Sequence, residues 1–317
     1  MTQHRRANLK KIRTISIRNR ESKVLPADFA APFDLDDGSF DGFIRSLPHI
    51  LVADDLRRVV TDIVGAHRGG KPVILMMGAH VVKVGLTPVI TDLMRRGVIT
   101  AVAMNSAAAI HDVETAMWGR TSEDVASNMM DGTFGMAKET GDFINGTLKR
   151  GVRWTDDGYG EALGKQLVKR RAPGRATSIL ATGLAAKVPV TVHVAIGTDI
   201  VHQQPGMDGG AAGEMSFRDF RSLCATCGGL VGGGVVLNVG SAVIMPEVFL
   251  KALTVARNLG ADARGFTTAV FDMNHHYRPT MNVRLRPTQD GGRGYEITGH
   301  HEIMVPLLAA MVKSALR

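Results

Sequence analysis

Only two cysteines occur in 317 residues, and aromatic side chains make up 5% of the chain. Cys224 and Cys227 form a single "CATC", too few for the disulfide framework of a stapled secreted domain and half of what a four-cysteine zinc site needs. A reducing compartment, and so a cytoplasmic protein, is the expectation. Long apolar runs are also lacking. The richest, "VGGGVVLNVGSAVIM", is broken by glycines and falls short of the ~20 residues that a membrane helix requires, so no transmembrane segment is expected. The familiar catalytic signatures are missing too. No H-E-x-x-H, H-x-x-E-H or G-x-S-x-G is present, which removes the simplest zinc-peptidase and serine-hydrolase readings. "GAHRGGK" begins like a phosphate-binding loop, but Pro72 stands where Ser or Thr must ligate the metal, and the stretch precedes an expected strand instead of following one.

Acidic residues are scarce in one place only. The first 25 residues, "MTQHRRANLKKIRTISIRNRESKVL", hold eight Lys or Arg against one Glu, and so +7 of the formal +8. The remainder is nearly neutral. An arm of this composition can contact phosphates or an acidic subunit face, and it mimics an organelle transit peptide. The reading preferred here is a solvated or interface-docked tail, which does not favour nucleic acid as a partner.

What the chain does have is alternation. Buried-strand patterns at "PVILMMG", "VITAVAM", "VPVTVHVAIG", "GVVLNVG" and "FTTAVFD" are separated by helical patterns at "LTPVITDLMRRG", "AAAIHDVETAMWG", "ATSILATGLAAK", "SFRDFRSLCATC" and "PEVFLKALTVARNLG". Two shorter strands are expected around "NVRLRP" and "GYEIT", with a closing helix from His301. This order predicts an α/β fold: a Rossmann-like, mainly parallel sheet with helices on both faces. The expected organisation is a basic arm and lead-in segment over 1–45, then a single α/β nucleotide-binding domain over 46–317 with a helical insertion at about 120–174.

Four strands finish in small or polar residues: Gly78; Asn105, Ser106 and Ala107; Gly197, Thr198 and Asp199; Asn238, Gly240 and Ser241. In an open parallel sheet ligands bind outside the carboxyl ends of the strands, where missing side chains let the backbone approach a nucleotide. Eight of the eleven histidines, namely His80, His111, His193, His202, His275, His276, His300 and His301, also fall on or just past strand ends, with Asp112, Glu114, Asp199, Asp272 and Glu302 nearby. A histidine there suits proton transfer, and a metal assembled from this set is an alternative that is not favoured.

"GAHVVKVGLTPVITDLMRRGVITAVAMNSAAAIHD", "VLNVGSAVIM", "GFTTAVFDMNHHYRP" and "IMVPLLAAM" resemble segments of deoxyhypusine synthase, an NAD-dependent transferase of Rossmann-like fold that is usually a homotetramer. The resemblance implies that Ser106, Ala107, Gly240, Ser241, Asp272 and Met273 border an NAD, joined by His80 where an Asn is usual and by His300 where an Asp contacts the adenosine end; Asn105, at the end of its strand, is a further cofactor-binding candidate. It implies that Asp112 holds one end of a polyamine and that Asp199 is the aspartate of a Thr-Asp-Gly turn. It also calls for an imine-forming lysine late in the chain, yet no lysine lies between Lys251 and Lys313, and Pro246 and Glu247 stand where the family's histidine is expected. Arginine cannot replace that amine, because its guanidinium stays protonated. The expected function is therefore an NAD-binding enzyme acting on a small amine or polyamine-like substrate without a lysine imine. His111, Asp112, Asp199, His202 and His301 are the catalytic candidates. The alternatives are a metal-assisted hydrolase or lyase built on the His/Asp/Glu set, and a non-catalytic nucleotide-binding protein.

Overall fold

The computed structural model describes residues 6–317; the first five residues of the basic arm lie outside that range. The chain divides into a unit ending at Asp54 and a compact body, Asp55–Arg317. In the first unit, single 3-10 turns at Leu9–Lys11 and Ile17–Asn19 are closed by the Asn8 and Ser16 side chains, and α1 spans Phe40–Ser46. Its described arm carries no buried side chain in these turns, and Leu9, Ile12, Ile15 and Ile17 are exposed.

The body is built on six parallel strands, β1 (Val73–Met77), β2 (Ala101–Asn105), β3 (Val190–His193), β4 (Val235–Val239), β5 (Thr267–Asp272) and β6 (Arg293–Thr298). Their order in space is β3-β2-β1-β4-β5-β6, which is the doubly wound dinucleotide-fold order with its switch point between β1 and β4. β1, β4 and β5 are buried at every position, as expected of strands covered on both faces.

The helices are α2 (Leu51–Arg68), α3 (His80–Lys83), α4 (Thr87–Arg95), α5 (Ser106–Trp118), α6 (Val125–Met130), α7 (Lys138–Trp154), α8 (Tyr159–Lys169), α9 (Ile179–Ala186), α10 (Gly209–Gly228), α11 (Ile244–Asn258), α12 (Tyr277–Pro279) and α13 (His301–Ala315). On one face Ile74, Met76, Ala103, Val236 and Val270 pack against Leu223, Cys224 and Cys227 of α10 and Met245, Phe249 and Leu253 of α11. The two cysteines are thus core residues. Burial pushes the Cys227 thiol up to about 12, which removes it from redox or metal chemistry at neutral pH.

Two sequence expectations change here. "NVRLRP" is no strand: residues 280–288 continue α12 as a wide and then a tight helical turn, and Gly294 of β6 lies so close that a Cβ there would stand 2.1 Å from the Arg284 carbonyl oxygen. The alternation Val283, Leu285 mimicked a strand because a helical turn packed on a sheet edge also buries only part of its residues. Residues 120–174 do form helices α6 to α8, and α8 is part of the sheet's own packing. Gly160 lies against the Val190 carbonyl at the outer edge of β3. Asp219 and Ser216 of α10 occupy the remaining edge groups: Asp219 accepts from Val192 N–H (2.7 Å) and Gly160 N–H (2.9 Å), while Ser216 bonds Val192 and Val194. Side chains thereby replace the missing neighbour strand.

Candidate functional site

Register decides which residues can meet. Val192, Met104, Met77, Val239, Phe271 and Ile297 form one row across the whole sheet. The next row is therefore His193, Asn105, Gly78, Gly240, Asp272 and Thr298, which is the carboxyl end where the fold binds ligands. Beyond that row the candidates separate into two neighbouring groups joined by α3.

The first group surrounds the switch point. Gly78 N–H donates to Val239 O (3.0 Å) and Gly240 N–H to Phe271 O (3.0 Å). A Cβ on Gly78 would stand 2.0 Å from the Gly240 carbonyl oxygen, so only glycine fits there. Gly240 itself has φ +63°, and a Cβ on it would meet the His301 ring at 2.9 Å. His301 is 1% exposed. Its ring stands edge-to-face with His80 at 5.4 Å between centroids, and its Nε2 lies 3.3 Å from Phe271 O. That contact requires the proton on Nε2, which leaves Nδ1 a buried lone pair with no partner. Burial pushes the ring's pKa down. Asn238 Oδ1, two residues before Gly240, is likewise buried and unpartnered, while its amide donates to Ser241 O. Ser241 Oγ accepts from Met245 N–H and starts α11; Asp272 accepts from Met273 N–H at 2.7 Å. His300 is the exception. Its side chain is 66% exposed and faces Glu302, so the adjacent pair is split: as the residue before the helix and its first residue, the two side chains point in different directions.

The second group lies past β2 and β3. Asn105 caps α5 by accepting from Ala108 N–H (3.0 Å), which places Ser106 and Ala107 in the first turn, with His111 and Glu114 about one and about two turns further along. Glu114 Oε1 accepts from Thr140 (3.0 Å) and Oε2 from Thr121 (2.5 Å). Because the Thr121 hydrogen goes to the carboxylate, its lone pair accepts from His111 Nδ1, 2.5 Å away. Burial raises the Glu114 pKa, but the His111 ring 3.8 Å away and the bonds from Thr121 and Thr140 outweigh it and hold the carboxyl below its ordinary range. His111 is consequently an Nδ1–H tautomer, and its Nε2 lone pair makes no hydrogen bond within the described residues. It lines a cavity of about 760 Å³ together with Lys83, Glu114, Trp118, Thr121 and Ile200. Ser106 donates to Asp199 Oδ2. Burial raises the Asp199 pKa against the opposing influence of Ser106, His202 and His111, which ties this carboxyl to the same region.

Two catalytic candidates have other roles. His202 Nδ1 accepts from Gly197 N–H and Asp199 N–H, both at 3.2 Å. Its proton is therefore on Nε2, which is buried and unpartnered 3.7 Å from Asp199. It is built to donate, not to act as a base. Asp112 is 0% exposed and faces away from the cavity. It accepts from Ser178 Oγ (2.6 Å), Ile179 N–H (2.9 Å) and Leu180 N–H (3.1 Å), so it caps α9. No polyamine end can reach a carboxylate used in that way. In the sequence Glu114 stands out only as a neighbour of the histidines, and Thr121, Thr140 and Lys83 do not stand out at all. The i, i+3 spacing of His111 and Glu114 on one helix face was the available signal; nothing local marks the threonines. Among the described residues no three His, Cys, Asp or Glu side chains converge on a metal-sized site, and no helix is long and apolar enough to cross a membrane.

No protein-family model and no curated protein matches the sequence. Solved structures do match the fold. A conserved protein assigned to LOR/SDH from Methanococcus maripaludis S2 has 13% identity and a TM-score of 0.51 over 83% of this chain and 70% of its own. AgrE, solved with ornithine and NAD+, has 13% identity and a TM-score of 0.53 over 82% of this chain and 33% of its own, so the present chain spans about a third of it. A protein from Entamoeba histolytica assigned as a deoxyhypusine synthase covers 90% of this chain and 98% of its own at 11% identity and a TM-score of 0.49. At 13% identity the likeness to the first two is one of architecture, and the protein is an α/β chain of Rossmann-like fold.

Proposed function

We propose that this protein is an NAD-dependent enzyme acting on a small amine, with the cofactor at the β1–β4 crevice and the substrate in the adjoining cavity. The observation that carries it is the Glu114–Thr121–His111 relay, which leaves the Nε2 of a cavity-lining imidazole without a hydrogen-bond partner beside the carboxyl end of a doubly wound sheet. The crevice suits such a cofactor in one respect. Its unpartnered buried atoms, His301 Nδ1 and Asn238 Oδ1, are both acceptors, the complement of ribose hydroxyls and a carboxamide N–H. Gly78, Gly240 and Ser241 would form its floor, His80 and His301 one wall, and Asn105, Ser106 and Ala107 the other. The crevice departs from the usual fingerprint in lacking G-x-G-x-x-G, and β2 ends in Asn105 instead of an acid.

A bound NAD supplies acceptance of a hydride from carbon. The chain's own residues prepare the substrate. His111 Nε2 takes the proton from the ammonium, and Glu114, acting through Thr121, stabilises the resulting imidazolium. His202 Nε2–H and the Ser106–Asp199 pair provide a fixed donor and a fixed carboxylate on the β3 side. The fold shared with AgrE, which binds ornithine and NAD+, is compatible with this assignment. Calorimetry with NAD+, followed by NADH absorbance with a panel of small amines, is the test. His111→Gln should lower kcat by roughly 10²- to 10⁴-fold while NAD+ affinity is retained. No binding of NAD+ at millimolar concentration would overturn the proposal.

A further inference from the structure

The segment that joins α5 to α7 supplies Arg120, Thr121, Ser122, Glu123, Val125 and Phe134 to the lining of the cavity of about 760 Å³. It is fastened at its two ends and not between them. In its middle, α6 buries no residue, and Val125, Met129 and Met130 are exposed. Among the described residues, every hydrogen bond made by residues 122–133 closes within residues 122–136. A clasp shapes this strap: Glu123 accepts from Gly135 N–H (2.9 Å) and from the Asn128 amide (2.6 Å). The end next to α7 is a firm root. There Gln203 donates to Phe134 O (2.6 Å), and the buried Gln204 donates to Gly135 O (2.9 Å) and Ala137 O (3.0 Å). The other end leaves α5 through Gly119, in the left-handed region at φ +67°, and is tied down by Thr121 alone, through Glu114 and His111. Between that tie and the clasp, Ser122 is held at φ +68°, a backbone region that non-glycine residues seldom occupy and that recurs at switch segments.

Resting on the assignment of this cavity to the substrate, we propose that residues 119–136 are a lid and that Thr121 is its latch. The latch is also the middle member of the relay. Closure delivers the hydroxyl that accepts from His111 Nδ1 and donates to Glu114, so the ring keeps its proton on Nδ1 and its lone pair on Nε2 only while the lid is down. With the lid raised, Glu114 retains Thr140, His111 loses its acceptor, and water lets the ring proton distribute over both nitrogens. Thr121 is thus a positioning residue. Its place on the lid makes the base available when the cavity is covered and withdraws it when the cavity is open to water.

The test needs neither substrate nor cofactor. In hydrogen-exchange mass spectrometry of the full chain, the amides of α6 should exchange at least about a hundredfold faster than those in the middle of α5 and α7. In protein carrying ring-15N histidine, with His111 assigned by its loss in His111→Gln, the ring nitrogens should report the Nδ1–H form. Thr121→Val should move the proton toward Nε2, and Thr121→Ser should restore it. Glu123→Ala removes the clasp while leaving Thr121, His111 and Glu114 in place, and the Glu123 side chain is exposed. It should speed α6 exchange by a further factor of about ten and shift the His111 proton in the same direction as Thr121→Val. Protection of α6 equal to that of α5 and α7, or a His111 tautomer unmoved by either Thr121→Val or Glu123→Ala, overturns the lid and leaves the amine reading standing. Failure of NAD+ to bind removes that reading without altering these signals.

Discussion

Asp219 offers a test of how the open edge of the sheet is held. The side chain is 3% exposed and accepts from Gly160 N–H and Val192 N–H through the same oxygen, Oδ2. Burial, opposed by those two bonds, pushes its carboxyl from 3.8 up to about 7. The sign follows from linkage. A carboxyl whose pKa is higher in the folded chain stays protonated there between about pH 4 and 7 while the unfolded chain releases the proton, so this group's stabilising contribution is full below pH 4, falls as pH rises and is lost above 7. At about 1.36 kcal/mol per pH unit the loss amounts to roughly 4 kcal/mol, a large part of the ~5–15 kcal/mol that holds a domain together. Asp219→Asn keeps an acceptor where Oδ2 stands and removes the titration. Urea unfolding of parent and variant at pH 4.5, 6, 7.5 and 8.5, taken as a few points across the window, should show the variant gaining on the parent with rising pH and the gap levelling past neutrality. Every other ionisable group is common to both chains and cancels in the difference. Parallel stability profiles would refute the claim that this carboxyl is buried at an energetic cost.

Two further outcomes follow from the same structure. Asp112→Ala should destabilise the chain by about 2–4 kcal/mol, because the buried Ile179 and Leu180 N–H groups and the Ser178 hydroxyl lose their acceptor, while turnover per folded molecule is retained; lost turnover with unchanged thermal stability would return Asp112 to the substrate. Phe249→Ala should cost about 3–5 kcal/mol in chemical denaturation, since that ring is fully buried and stands edge-to-face with Phe266 at 6.4 Å between centroids; a cost below 1 kcal/mol, the scale of a tolerated core swap, would mean that the α11 face is not the packed core described.

The candidate site shows why histidines legible in the sequence did not carry their roles with them. His111, His202 and His301 all sit past strand ends, as the alternation predicted. Their chemistry differs because each ring has a different first partner: Thr121 Oγ1 for His111, two backbone N–H groups for His202, and the Phe271 carbonyl for His301. Those partners lie from 3 to 30 residues away, and a tautomer depends on them and not on where a histidine falls in the strand and helix pattern. Asp112 and Glu114 illustrate the same point. Two positions apart on α5, they face opposite sides, one toward α9 and the other toward the cavity, and only one of them remains a site residue.

Strand and helix alternation, the Gly, Asn and Ser strand ends and the absence of a late lysine were written in the sequence, because hydrophobic period and backbone permissiveness are properties of short segments. So was the close approach at Gly78 and Gly240, in so far as both residues lack a Cβ. The strand order, the row that brings Asn105, Gly78, Gly240 and Asp272 level, the helical turn at 280–288 in place of a strand, and the gathering of His111, Glu114, Thr121 and Thr140 at one cavity were decided by tertiary structure. Each depends on which distant segments pack together, and packing is settled by the burial of whole faces against one another, not by any stretch read alone.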